Sequence, residues 1–222
     1  MESAVTTRRM ARPSRERAAG AALSTGQIAA LTTDQVSNLS TADLRALSST
    51  QLQAIETDQL QALSTTQVQA LTTAQLGNFT TDQISAFTTS QIGALSTQQI
   101  ANLPTAQLAA LTTAQLQALG TATIVAMSSQ QIGALTSDQF ASLSTDLVAA
   151  VEAGDIPSLS TSQLSAMRTE QVGALVSAQV SAMSTSQIGA FSADQLGALS
   201  TGAIVAMTTA QVVGPARCNC SA

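Results

Sequence analysis

Large apolar side chains recur at every eighth position from Leu23 to Met207, and the frame never slips. Leu31, Leu47, Ile55, Leu63, Phe79, Phe87, Leu95, Leu111, Met127, Val151, Met183 and Phe191 all stand in this column. Counted from it, the unit reads L-[ST]-T-x-Q-[ILV]-x-A. Position six is equally strict, from Ile28 and Val36 through Leu44, Leu52, Leu60 and Ile84 to Val212. Position five is Gln except at Asp43, Thr123, Leu147, Asp155 and Ala203. A short fixed period marks a quasi-one-dimensional protein whose units pack mainly on their neighbours.

Neither continuous element fits this pattern. At roughly 100° per residue, an octad drifts about 80° on a helix, so the apolar stripe winds round and never forms one face. A strand needs strict alternation, which positions one, six and eight do not supply. The breaks are written into the unit instead. Ser or Thr at position two and Gln at position five have capping-box spacing, as in Ser24/Gln27, Thr72/Gln75 and Thr88/Gln91. There the hydroxyl accepts from the N3 amide while the Gln returns to the N-cap amide. The position-one residue precedes the cap and can meet position six as a hydrophobic staple.

Each octad therefore predicts one helix of five or six residues and a turn into the next cap. A helix so short is unstable alone, so the units must stack. The fold class expected is all-α, a tight α-solenoid with one capped helix per octad, spanning 23–213. Ala at position eight suits close helix approach. The number of octads in a superhelical turn is not visible, because position four shows no longer period.

Departures from the unit are few. Leu143 to Leu159 keeps its frame but loses its Gln and contains Gly154, Asp155 and Pro157; it reads either as a hinge or exposed corner, or as drift in a degenerate repeat. Pro104, Arg168 and Val176 replace the capping hydroxyl, which should weaken those joints. Similar pieces around Ile124 and Ile204 lie ten octads apart and suggest duplication of a longer block.

Composition narrows the chemistry. The chain has no His, Trp, Tyr or Lys, and its cysteines, Cys218 and Cys220, stand in a tail at 214–222. The common metal sets and Ser-His or Cys-His nucleophiles are thus missing from this sequence. The isolated acids Asp34, Asp58, Asp82, Asp138 and Asp194 all occupy position four, where a negative charge suits the first helical turn. Ser and Thr at positions two and three are attributed to capping. No catalytic, cofactor-binding or metal-ligating residue is assigned, and no cofactor or enzymatic activity is expected.

Charge sets the partners. Five of the eight Arg lie within a leader at 1–22, expected to be disordered. The repeat region keeps Arg45 and Arg168 against eleven acids, a balance that repels phosphate backbones. Nucleic acid is not expected as a partner, and no apolar run is long enough to span a membrane as a helix. A protein partner or self-association is expected, and Cys218 or Cys220 offers a route to a disulfide-linked dimer. The leader lacks the apolar segment of a secretory signal.

The runs LTTDQVSNLSTADL, LTTAQLQAL and LSTSQIGAF resemble octapeptide stretches that recur in large repetitive bacterial proteins, many of them surface-associated. The resemblance covers residue 23 to about 213. It implies a structural repeat at the cell surface or secreted, and says little about activity. Leu31, Thr32, Gln35 and Val36 are also similar to the opening of TAL-effector repeats, but no base-reading loop or basic stripe follows. The function expected is a non-catalytic spacer, stalk, adhesive surface or interaction scaffold. The alternative is a translocated effector that binds a host protein through its repeat surface.

Overall fold

A computed structural model describes residues 23–213. The leader at 1–22 and the tail at 214–222, with the proposed disulfide through Cys218 or Cys220, lie outside the described residues. Among those described there are 23 α-helices of four to six residues, one 3-10 turn at Ile156–Ser158, and no strand. They belong to two compact units, one ending at Leu111 and the other starting at Thr112. Each is a tight α-solenoid.

The octad beginning at Phe87 shows how one unit is made. Thr88 is the N-cap, with extended φ −71° and ψ 158°, and its hydroxyl accepts from the Gln91 N–H at 3.2 Å. The Gln91 Oε1 accepts in turn from the Thr88 N–H at 2.8 Å. The capping box predicted from spacing is thus present, and the helix Thr89–Gly93 follows it. Ala94 closes the helix in the right-handed region at φ −85°. The Leu95 N–H then bonds the Ile92 carbonyl at 3.1 Å, tightening the last turn. Where a six-residue helix ends, position one is itself the C-cap, extended with negative φ, as at Leu111 (φ −61°, ψ 139°). The exit needs no left-handed residue, so a large Leu stands where helices often place Gly.

Helices pack on the helix three octads away. In the first unit Thr33–Ser37 meets Thr57–Gln61, Thr57–Gln61 meets Thr81–Ala86, and Thr81–Ala86 meets Thr105–Ala110. In the second, Thr113–Gln117 meets Ser137–Ser142 and Ser177–Ala182 meets Thr201–Val205. One superhelical turn is therefore three octads. Positions one and six from successive turns fill the interior: Leu52, Leu60, Leu76 and Ile100 are fully buried. Neighbouring position-one residues also meet there, the Phe79 and Phe87 rings lying edge to face with centroids 5.6 Å apart. That geometry is favoured by the ring quadrupoles.

The segment with Gly154 and Pro157 does not act as a break. Its octad exchanges the α-helix for the 3-10 turn, which tolerates the proline's missing N–H near its start. Val151, Asp155 and Ile156 stay buried at positions one, five and six. Glu152 and Pro157 are exposed. Gln187 still donates to the Ile156 and Leu159 carbonyls, both at 2.8 Å, as the next turn does elsewhere. The stretch is a variant octad in frame.

Candidate interaction surface

The repeat divides its polar side chains into those that build the solenoid and those that face solvent. Gln at position five belongs to the first group. From Gln51 onward these glutamines are all buried; Gln91 is 2% and Gln171 0% exposed. A buried amide must be hydrogen-bonded at both ends. While Oε1 holds the N-cap of its own octad, Nε2 reaches the preceding turn. The Gln91 Nε2 donates to the Leu60 carbonyl at 2.8 Å and the Leu63 carbonyl at 2.7 Å. Gln67, Gln83 and Gln99 do the same to Val36 and Leu39, Leu52 and Ile55, and Val68 and Leu71. In the second unit Gln163 and Gln179 repeat it. One side chain thus satisfies a helix start and, a turn away, the carbonyls of a helix end.

Position seven works in the other direction. Gln53 donates to the Asn78 carbonyl at 2.9 Å and Gln69 to Ala94 at 2.8 Å, each on the following turn. Arg45 reaches Ala70 at 2.6 Å, and Gln117 reaches Ser142 at 2.9 Å. At Gly133 the turns stand close: a Cβ there would lie 2.8 Å from the Ser158 carbonyl oxygen. Position eight, mostly Ala and half-buried, supplies the carbonyl in each case. That is the close approach its small side chain suggests.

The substituted caps differ from one another. Arg168 and Val176 lose the hydroxyl half of the box, yet their N–H groups still bond Gln171 and Gln179 at 2.7 and 2.9 Å. Glu56 behaves alike through Gln59 at 2.8 Å. Pro104 loses both halves, because proline has no N–H. In consequence the Gln107 Oε1 is the one buried side-chain oxygen or nitrogen among the described residues without a hydrogen-bond partner. Asp155, at the irregular octad, instead accepts from the Ser129 hydroxyl at 2.6 Å.

Positions two, three and four form the outer surface. The position-two hydroxyl serves the cap. The position-three residue opens the helix, and the cap bonds run through its neighbour; Thr57, Thr65, Thr81, Thr89, Thr97 and Thr105 are exposed. Capping therefore accounts for position two and not for three. Position three is Ser or Thr in every octad except at Ala153 and Ala193. Asp34, Asp58, Asp82, Asp138, Asp146, Glu170 and Asp194 stand beside them in first helical turns. Arg168 and Glu170 pair at 3.0 Å on this surface, where an exposed ion pair contributes little.

Within this geometry the run Ala70-Leu71-Thr72-Thr73-Ala74-Gln75, repeated at Ala110 to Gln115, spans a joint, a cap and the clamping glutamine. The signature of the ALTTAQ repeat matches residues 36–73, 52–89, 68–97, 89–121, 109–145, 148–185 and 174–201. The chain belongs to the ALTTAQ repeat family. The first three matches advance by two octads each, in register with the repeat. No curated protein matches this ALTTAQ repeat chain. Among its described residues, no helix is long and apolar enough to cross a membrane.

Proposed function

We propose that this ALTTAQ repeat chain is a non-catalytic interaction scaffold that presents a periodic hydroxyl surface to a protein partner. The observation that carries the reading is the exposed position-three column. Apart from Ser129, which donates to Asp155 on the next turn, no position-three hydroxyl among the described residues joins the turns, yet Ser or Thr stands there in all but two octads. Helices three octads apart pack together, so Thr57, Thr81 and Thr105 follow one another along one side of the first unit. Beside them stand acidic first-turn residues such as Asp58 and Asp82. A partner would meet an array of hydrogen-bonding groups with a mild negative bias, repeated once per turn. Repeat surfaces suit such use, since contact area grows with unit number.

The test compares the parent with Thr57→Ala, Thr81→Ala and Thr105→Ala combined. Each exchange removes an exposed hydroxyl and spares the cap, so the melting curve should hold. Retention of ligands from the host's own extract should fall. A substrate panel is run beside it. Robust turnover lost on a single surface substitution would replace the scaffold reading with an enzymatic one.

A further inference from the structure

Leu147 and Asp155 hold position five in consecutive octads, and nowhere else do two neighbouring octads lack Gln there; Asp43, Thr123 and Ala203 each stand between glutamines. The chain passes through this stretch in frame, but its joints are one-sided. From the following turn Gln171 donates to the Leu143 carbonyl at 2.7 Å, and Gln179 to those of Val148 and Val151 at 2.9 and 2.7 Å. Toward the preceding turn Leu147 and Asp155 have no amide to give. In the register of the other octads, such an amide would reach Leu116 and Leu119 from the first, and Ile124 and Met127 from the second. No Gln amide among the described residues does so.

The three joints between these two turns therefore differ. Thr145–Ala149 packs on Thr121–Ala126, with Leu147 buried where the clamp would stand. No side-chain hydrogen bond among the described residues joins those two helices. Ile156–Ser158 packs on Ser129–Gly133, and one bond crosses there, from the Ser129 hydroxyl to Asp155 at 2.6 Å. Thr161–Ser165 packs on Ser137–Ser142 and keeps its clamp, since Gln163 donates to the Ile132 and Leu135 carbonyls at 3.3 and 2.8 Å. Beside it Gln171 bridges Phe140 and Leu143, the corner at which the chain leaves one turn for the next. Two unclamped joints thus lie side by side, and the clamped joint and the corner close the third side.

We infer that this seam is a hinge built into the second unit: the turn starting at Leu143 swings away from the turn before it about the Gln163 joint, and the Ser129–Asp155 bond is the latch. At a clamped joint, parting the turns takes an amide from two buried carbonyls. At this seam the Leu119 and Met127 carbonyls have no such donor to lose, and parting the turns lets water reach them, so opening is opposed less than elsewhere. What remains across the two unclamped sides, apart from the latch, is apolar contact, which is non-directional. Local opening is drawn from places of this kind. The moving side stays intact, because Gln179 and Gln187 hold its octads to the turn that follows. The latch also accounts for Ser129, the one position-three hydroxyl among the described residues that joins two turns.

The test is the labelling rate of a buried thiol in the full chain, with Cys218→Ser and Cys220→Ser in every variant. Val148→Cys places the thiol at the seam. Val172→Cys places it at the same repeat position in an octad held by Gln171 and Gln195, and both sites are buried. A small aromatic disulfide should modify Val148→Cys at least about tenfold faster than Val172→Cys under native conditions. Ser129→Ala alters an exposed position and removes the latch, so it should raise the rate at Val148→Cys by about threefold or more and leave Val172→Cys unchanged. Leu147→Gln with Asp155→Gln supplies both missing clamps and should bring the rate at Val148→Cys down to that at Val172→Cys. Equal rates at the two sites overturn the inference, and so does a Ser129→Ala variant that labels like its parent. If the double Gln variant does not fold, the Ser129→Ala comparison decides alone.

Discussion

The Gln91 side-chain amide donates to the Leu63 carbonyl at 2.7 Å, joining residues that stand 28 positions apart and on consecutive turns. Its oxygen simultaneously holds the Thr88 N–H. Gln91→Ala removes both contacts and strands buried backbone groups, each worth about 1–3 kcal/mol. The expected loss is about 2–4 kcal/mol, read as a lower midpoint in urea. A loss under about 0.5 kcal/mol would mean that the clamp does not hold the turns together.

Gln91→Glu separates the two roles. A carboxylate can accept from Thr88 but cannot donate to Leu60 or Leu63, and it would face their carbonyl oxygens in a buried place. Burial and those oxygens raise the pKa of the introduced carboxyl in the folded state above its unfolded value. Its protonated form is then the better tolerated one. Stability should be greatest below the unfolded carboxyl range and fall as pH rises through the raised folded value. Melts at about pH 4 and pH 8 should differ far more for this variant than for the parent; equal shifts would contradict the donor role.

Pro104→Thr should stabilise the protein. It returns an N–H to the unpartnered Gln107 Oε1 and a hydroxyl to the Gln107 N–H. Relieving a buried orphan and restoring a cap are together worth about 2–3 kcal/mol. Loss of proline's restraint on the unfolded chain offsets roughly 0.4–1 kcal/mol. A net gain of about 1–2 kcal/mol is expected by chemical denaturation. A destabilised variant would show that the Pro104 ring, 3.8 Å from where a Gly77 Cβ would stand, contributes more packing than supposed.

Helix length, capping and both buried columns were legible in the octad, because each is decided inside eight residues. The threefold turn was not. Every octad presents the same Gln and the same apolar pair to the next turn, so no longer period has to appear in the sequence. One signal of the second role was nevertheless present: position five is never Glu, although Glu suits a capping box as well as Gln. Only Gln both accepts at the cap and donates to a carbonyl. Pro157 left a hinge and a drifted octad both open for a related reason. Its local effect is a 3-10 turn, but the frame is held from outside by Gln187.

Two glycines at position seven should respond oppositely to alanine. A Cβ at Gly133 would meet the Ser158 carbonyl oxygen at 2.8 Å, while nothing lies within 4 Å at Gly197. Gly197→Ala should gain about 0.5–1 kcal/mol from lower backbone entropy in the unfolded chain. Gly133→Ala forces the turn at Ile156–Ser158 outward and should cost about 1–3 kcal/mol. Thermal melts of the two variants decide it. A gain at both sites would mean that the turns are loosely stacked there.

Ile124 and Ile204 test what a covering turn contributes, since Val-Ala-Met follows each. Ile124 is fully buried, so Ile124→Ala removes its transfer energy and leaves a cavity, about 2–5 kcal/mol. Ile204 is 48% exposed, and Ile204→Ala should cost about 1 kcal/mol, half of an ordinary burial and no closed cavity. Urea midpoints of the two variants check it, and the loss at Ile124 should be at least twice that at Ile204. Equal penalties would mean that the turn following Ile124 adds nothing to its burial.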